Sequence, residues 1–234
     1  RTTPTRKVMT MTMNASNTRA GNIHTFLTFD PEKHEYHANG ELVPSVTQVL
    51  GQWLLPSGGA YYIDTVTGQT IDAESFGQAR EAGNAIHKGA AYLLKGEGLN
   101  WNALAPGLAA PLRQCEEWIK TFGVKPLYVE EPMYSKALGV AGTPDVLCAI
   151  YGTPQGIALV DIKTGLVNDM VGPQTAAYEK LARDFKGIRK IIRRYSLVLP
   201  RNGSPYKFTP LTDEKDYAFF CARLTQFNYL KGRQ

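Results

Sequence analysis

Three residues near the middle of the chain have the types and spacing of phosphodiester chemistry. Asp145 opens an apolar run, Val146 to Tyr151, and Asp161-Ile162-Lys163 closes a second, Ile157 to Val160. Between them lies Gly152-Thr153-Pro154-Gln155-Gly156, so the segment reads as two strands joined by a short turn. Side chains alternate faces along a strand, which puts Asp161 and Lys163 on one face, roughly 7 Å apart along the chain. Antiparallel pairing across the turn would set Asp145 beside Asp161, so that two carboxylates and an ammonium converge at one sheet end. Carboxylate oxygens are the ligands preferred by Mg²⁺ or Mn²⁺. A lysine beside such a metal can orient and deprotonate a water, or stabilise charge on a phosphate.

Other segments must position these groups. The 234 residues suit one large domain with an ordinary apolar core. No stretch approaches the roughly 18 uninterrupted apolar residues of a membrane span, and the first residues lack the apolar region of a secretory leader. A location in the cytoplasm is the resulting expectation. The net charge is +5, but residues 1–22 hold Arg1, Arg6, Lys7 and Arg19 and no acid, leaving 22 basic and 21 acidic residues in the body. Residues 1–22 read as a disordered basic tail, either a nucleic-acid contact or sequence foreign to the protein. Residues 23–234 read as one domain. Cys115, Cys148 and Cys221 are scattered, with no C-x-x-C; buried thiols in a reducing compartment are expected.

Turn signals at Asp30-Pro31-Glu32-Lys33 and Asn39-Gly40 predict a small β-ribbon from Thr25–Phe29 and His34–His37. Val43 to Leu50 reads as an extended piece entering a short helix, with Ser45 as N-cap. Residues 51–72 read as an irregular insertion, in which Trp53, Tyr61 and Tyr62 either stack on unpaired bases or pin the loop to the core. From about Ala73 to Lys95, Phe76, Ala79, Gly83, Ile86, Ala90 and Leu93-Leu94 recur at helical steps, with His87 beside the stripe. Leu108–Phe122 is a second helix, closed by Gly123, with Trp118 in the core. Leu127–Tyr134 reads as one strand, along which Glu130 and Glu131 must face opposite ways. Pro173–Phe185 is a helix that sets Gln174 and Tyr178 one turn apart on one face. Lys186, Arg189, Lys190, Arg193 and Arg194 form the densest basic cluster, the footprint expected for a phosphate backbone or equally for a solvated junction. Strands at Tyr195–Leu199 and Tyr206–Leu211 precede a last helix whose positions Tyr217, Phe220, Cys221, Leu224, Phe227 and Leu230 are expected to pack on the sheet.

Pro144-Asp145 followed by Asp161-Ile162-Lys163 resembles the signature of the PD-(D/E)XK nucleases in its D-x-K form. Gly83…His87, Glu130, Gly142-Thr143-Pro144-Asp145, Asp161-Ile162-Lys163 and Gln174-Thr175-Ala176-Ala177-Tyr178 occur in the order of the RecB-like subset. The resemblance spans about residues 40–230. Pro44-Ser45-Val46-Thr47 is similar to a stretch in phage-encoded RecB-like exonucleases and in the mitochondrial genome-maintenance exonuclease. The chain departs from the commoner pattern in having D-x-K in place of E-x-K, and its three dispersed cysteines cannot hold the four-cysteine iron–sulfur cluster of some relatives.

The resemblance implies an α/β fold, a restriction-endonuclease-like core with a central mixed sheet flanked by helices. It implies a Mg²⁺- or Mn²⁺-dependent deoxyribonuclease that digests DNA from its ends, on single-stranded or end-processed substrate, in phage or bacterial recombination, replication or repair. Asp145 and Asp161 would hold metal with His87, Glu130 and the Ile162 carbonyl, Lys163 would place the attacking water, and Gln174 and Tyr178 would contact a phosphate or hold the lysine. Ser45, Thr47, Lys186, Arg189, Lys190, Arg193 and Arg194 would contact DNA. An endonuclease of the same fold, or a catalytically idle nucleic-acid-binding or assembly protein, is the alternative.

Overall fold

A computed structural model describes residues 25–51, 54–57, 61–64, 70–151, 156–164 and 169–232, without the side chains of residues 54–80 and 191. The expected ribbon forms from β1 (Leu27–Asp30), β2 (Glu35–Ala38) and a third strand, β3 (Glu41–Val43), paired in that order. Its first turn is held by Asp30 Oδ1, which accepts from the amides of Glu32 (2.9 Å) and Lys33 (3.2 Å). The second uses Asn39 and Gly40 at φ 53° and 86°, the left-handed geometry those residues tolerate. Ser45 then caps α1 (Val46–Leu50) in a capping box with Gln48, as its position before Val46 predicts.

Residues 51–72, expected to be irregular, contain three short strands, β4 (Leu54–Ser57), β5 (Tyr61–Asp64) and β6 (Thr70–Asp72), in an antiparallel sheet of order β4-β5-β6. Pro56-Ser57-Gly58-Gly59 and Thr67-Gly68 separate runs with β-favouring Tyr61, Tyr62, Ile63 and Ile71, a hairpin signal rather than a loop signal. Trp53 and the side chains of Tyr61 and Tyr62 lie outside the described residues, as does the tail. Helix α2 (Ala73–Leu94) follows directly, then α3 (Ala109–Thr121), which Gly123 ends at φ 55°.

The strand expected over Leu127–Tyr134 is two. β7 (Lys125–Val129) belongs to the central sheet, whereas β8 (Met133–Ser135) pairs with β9 (Val140–Gly142) in a separate ribbon. The chain turns between them because Glu130 is left-handed, φ 49°, and Pro132 has no amide to continue a ladder. The rest is β10 (Val146–Ala149), β11 (Gly156–Lys163), α4 (Val171–Lys186), β12 (Ile191–Val198), β13 (Lys207–Leu211) and α5 (Lys215–Lys231).

The fold is mixed α/β, with a central mixed sheet of order β13-β12-β11-β10-β7 flanked by helices. β11 and β12 are parallel, joined by α4, and the other neighbours are antiparallel. The period-two alternation of strands divides the core. Val146, Cys148, Ala158, Val160 and Ile162 pack with Ile86 of α2 and Leu112, Cys115 and Trp118 of α3. Leu147, Ile157, Leu159 and Ile192 pack with α1, with Ala177 and Leu181 of α4, and with Phe220 and Leu224 of α5. The last helix thus lies chiefly against α4 and α1 rather than on the sheet. Phe220 and Leu224 are buried, while Tyr217 and Leu230 of the expected apolar face are 37% and 54% exposed, because α4 already covers that side. Cys115 and Cys148 are buried, as expected. Among the described residues no helix is long and apolar enough to cross a membrane.

Replacing the capping hydroxyl leaves an amide of α1 without its acceptor. Ser45→Ala should cost about 1 kcal/mol, read as a lower urea midpoint with unchanged slope, whereas an unchanged midpoint would deny the cap any weight.

Candidate metal centre

The register of β10 on β11, with Val146 opposite Val160 and Leu147 opposite Leu159, carries Asp145 to the end of β11 beside Asp161. Asp145 is held there from two sides. The Ile162 amide donates to its Oδ2 at 2.6 Å, and His87 Nδ1 of α2 lies 3.2 Å from its Oδ1. Helix α2 reaches this point by close approach. A Cβ on Gly83, one turn before His87, would lie 3.2 Å from Thr164 Oγ1.

Glu130 arrives from the opposite neighbour of β10. Its amide donates to the Asp145 carbonyl at 2.9 Å, and its left-handed backbone, φ 49°, turns it out of β7. Such a conformation costs about 1–3 kcal/mol for a residue other than glycine and tends to occur at functional sites. His87, Glu130 and Asp145 each offer a ligand atom, and these atoms all lie within 4.8 Å of one another. Two carboxylates and an imidazole make a donor set fit for a divalent cation. Asp161 is close to this group but engages Lys163.

Asp161 and Lys163 do share a face of β11, the one turned to α4. Lys163 Nζ is 2.8 Å from Asp161 Oδ2 and donates to Gln174 Oε1 at 3.3 Å. The Gln174 amide in turn donates to the Tyr178 hydroxyl at 3.2 Å. One turn of α4 thus fixes the amide that holds the lysine. Tyr178 is itself tightly seated, since a Cβ on Gly142 would come within 2.6 Å of its ring. Burial raises the Tyr178 hydroxyl well above its ordinary range and keeps it protonated.

The site is rich in buried negative charge. Burial pushes Asp161 up and the Asp145 carboxylate adds to this, against the pull of Lys163. Glu130 is raised by burial and by Asp145, with His87, Lys95 and Lys88 opposing. Burial would also raise Asp145, but His87, Lys163 and the Ile162 amide hold it below its ordinary value. Burial disfavours protonated His87, yet Asp145 overrides this and raises it. Asp161 Oδ2 is buried and, beside its ion pair, accepts no well-formed hydrogen bond. Three carboxylates facing one lysine and one histidine lack positive charge, which a divalent cation would supply.

The remaining expected site residues fall elsewhere. Ile162 contributes its amide to Asp145, and its side chain is core. Ser45 is 1% exposed and its hydroxyl caps α1, while Thr47 is exposed beside it, with its hydroxyl 3.0 Å from Ser45 Oγ. The basic cluster does not form one patch. Lys186 is paired with Glu131 at 2.7 Å and lies over the Tyr128 ring. Arg194 donates to Asp216 (2.8 Å) and to the carbonyls of Gly172 and Asp213. Arg189, Lys190 and Arg193 remain at the surface. Run length alone cannot show that two of five cations face carboxylates brought in by other elements.

Sequence reasoning missed Tyr36, whose buried hydroxyl lies 2.8 Å from Thr143 Oγ1. This ties the first ribbon to the loop that ends at Asp145. Lys88 and Lys95 also lie near Glu130; their one sequence signal is proximity to His87 on the same helix.

No family model and no curated protein matches this chain.

Two outcomes follow. Because His87 and Glu130 are both raised, a cation entering the triad must displace protons. Mn²⁺ affinity measured by calorimetry should therefore strengthen as pH rises through the titration of His87 and then level off, and should be largely lost in Asp145→Asn. An affinity indifferent to pH would remove His87 from the ligand set. Separately, Arg194→Ala should cost about 3 kcal/mol or more by leaving the nearly buried Asp216 without its cation, whereas exposed Arg189→Ala should stay within about 0.5 kcal/mol; comparable urea midpoints for the two variants would contradict the division of the cluster.

Proposed function

We propose that this chain is a divalent-metal-dependent DNA exonuclease with a PD-(D/E)XK core of the RecB-like type. The observation that carries the reading is convergence. Five segments, the α2 turn at His87, the bend at Glu130, the start of β10, the end of β11 and the first turns of α4, meet at one sheet end with ligands on one side and a held lysine on the other. The resemblance to RecB-like exonucleases supports action from DNA ends.

His87, Glu130 and Asp145, with Asp161 adjacent, would hold Mg²⁺ or Mn²⁺, which would supply Lewis acidity for phosphodiester hydrolysis. The chain's own groups supply position and charge. Lys163, fixed between Asp161 and Gln174, presents an ammonium that orients the water and offsets negative charge gathering on the phosphate. Gln174, itself held by Tyr178, gives that ammonium a second partner beside Asp161. The Ile162 amide fixes the Asp145 carboxylate through Oδ2 and leaves Oδ1, beside His87, as the oxygen a cation would take.

Digestion of matched linear and circular DNA, single- and double-stranded, with Mg²⁺ and with EDTA, tests the reading. Loss of linear substrate alone, abolished by EDTA and lowered at least 10²-fold in Lys163→Ala, is the expected result. Cleavage of circles makes the protein an endonuclease. Binding without cleavage makes it an idle scaffold, and full activity in Lys163→Ala removes the lysine from the mechanism.

A further inference from the structure

Beside the triad lies a cleft of about 340 Å³ between β1, α2 and the end of α4. Its volume is at the small end of ligand sites. Phe26, Phe29 and Phe185 give it apolar and aromatic walls, Lys88 and Lys95 stand on its helical side, and Glu130 lines it. Glu130 therefore belongs both to the cleft and to the metal-ligand cluster.

The aromatic wall is held in place. Phe26 is 44% exposed, yet its backbone is fixed on both sides by Asn39, whose side chain accepts from the Phe26 amide at 2.8 Å and whose amide donates to the Phe26 carbonyl at 2.7 Å. Phe29 stacks on Tyr36 with ring centroids 4.5 Å apart. Tyr36 in turn holds Thr143, two residues before Asp145. The ribbon that carries the aromatic rings is thus tied to the loop that carries the metal ligand. Lys88 and Lys95 are exposed, two helical turns apart, and form no ion pair among the described residues.

We infer that this cleft is a subsite for one unpaired nucleobase of the DNA strand whose phosphate lies at the metal centre, with Phe26 as the stacking platform and Lys88 and Lys95 as contacts to the flanking phosphates. The inference rests on the nuclease reading above. An apolar cleft of this size takes one flat heterocycle, the exposed lysines complement the strand's charge, and the shared Glu130 sets the base one step from the reacting phosphate. Every base has a π-face, so the site stacks without reading sequence. A base paired within a duplex cannot enter it, so the cleft favours single-stranded or frayed ends.

The test uses the full chain with Mn²⁺ and a single-stranded oligonucleotide carrying either normal or abasic nucleotides at both ends. Loss of one stacked base corresponds to roughly tenfold in affinity. Phe26→Ala should therefore raise KM about tenfold on the normal substrate with Mn²⁺ affinity unchanged, and Phe26→Trp should restore it. The unaltered protein should show a similar loss on the abasic substrate, with no further loss in Phe26→Ala. Lys88→Ala with Lys95→Ala should weaken both substrates alike and flatten the salt dependence. If the unaltered protein cuts both substrates equally, or if Phe26→Ala leaves KM unchanged, the subsite is overturned while the nuclease reading stands. If the protein binds Mn²⁺ but hydrolyses no DNA, both fall together.

Discussion

A carboxylate buried at the meeting point of several elements is expensive unless donors surround it, and Asp145 is the clearest case here. The Ile162 amide approaches one oxygen and the His87 ring the other, while the Asp145 carbonyl receives the Glu130 amide. Each of these contacts ties a different segment to the same residue. The position of α2 against the sheet, the bend that ends β7 and the register of β10 on β11 are therefore constrained together at one group.

That constraint also explains the division of labour across the site. Alternation along β11 sends Val160 and Ile162 into the core beneath α2 and α3, and sends Asp161 and Lys163 toward α4. The ligand triad forms on the α2 and Glu130 side of Asp145. The ammonium sits on the α4 side, anchored through Gln174 to Tyr178. Burial raises Asp161 and Glu130, and the Asp145 carboxylate in the seam between the two adds to it. The tension is electrostatic, and a divalent cation is the simplest group that relieves it.

Much of this was legible in the residues. The antiparallel pairing of the two central strands, the helices at 73–95 and 173–185, the cap at Ser45 and the shared face of Asp161 and Lys163 all follow from local periodicity and capping chemistry, which need no distant partner. The small sheet at 54–72 is legible in principle, but its glycines and prolines outweigh the short β-favouring runs and point to a loop. Glu130 was less accessible. Its role depends on a left-handed backbone at a non-glycine residue, and such a conformation is imposed by the two strands it separates rather than by glutamate itself.

The amino-acid order by itself determined the strand pair, its register and the order of the chemical groups along the chain, because turns and alternation act over a few residues. Only the tertiary structure decided which charges stay at the surface and which are neutralised. Lys186 meets Glu131 from 55 positions earlier, and Arg194 meets Asp216 from 22 positions later, so both are paired within the fold. Tertiary structure likewise joined the first ribbon to the loop before Asp145 through Tyr36 and Thr143, 107 positions apart. Contacts of that span depend on where whole elements dock, and docking is set by the summed burial of two core faces rather than by any local pattern.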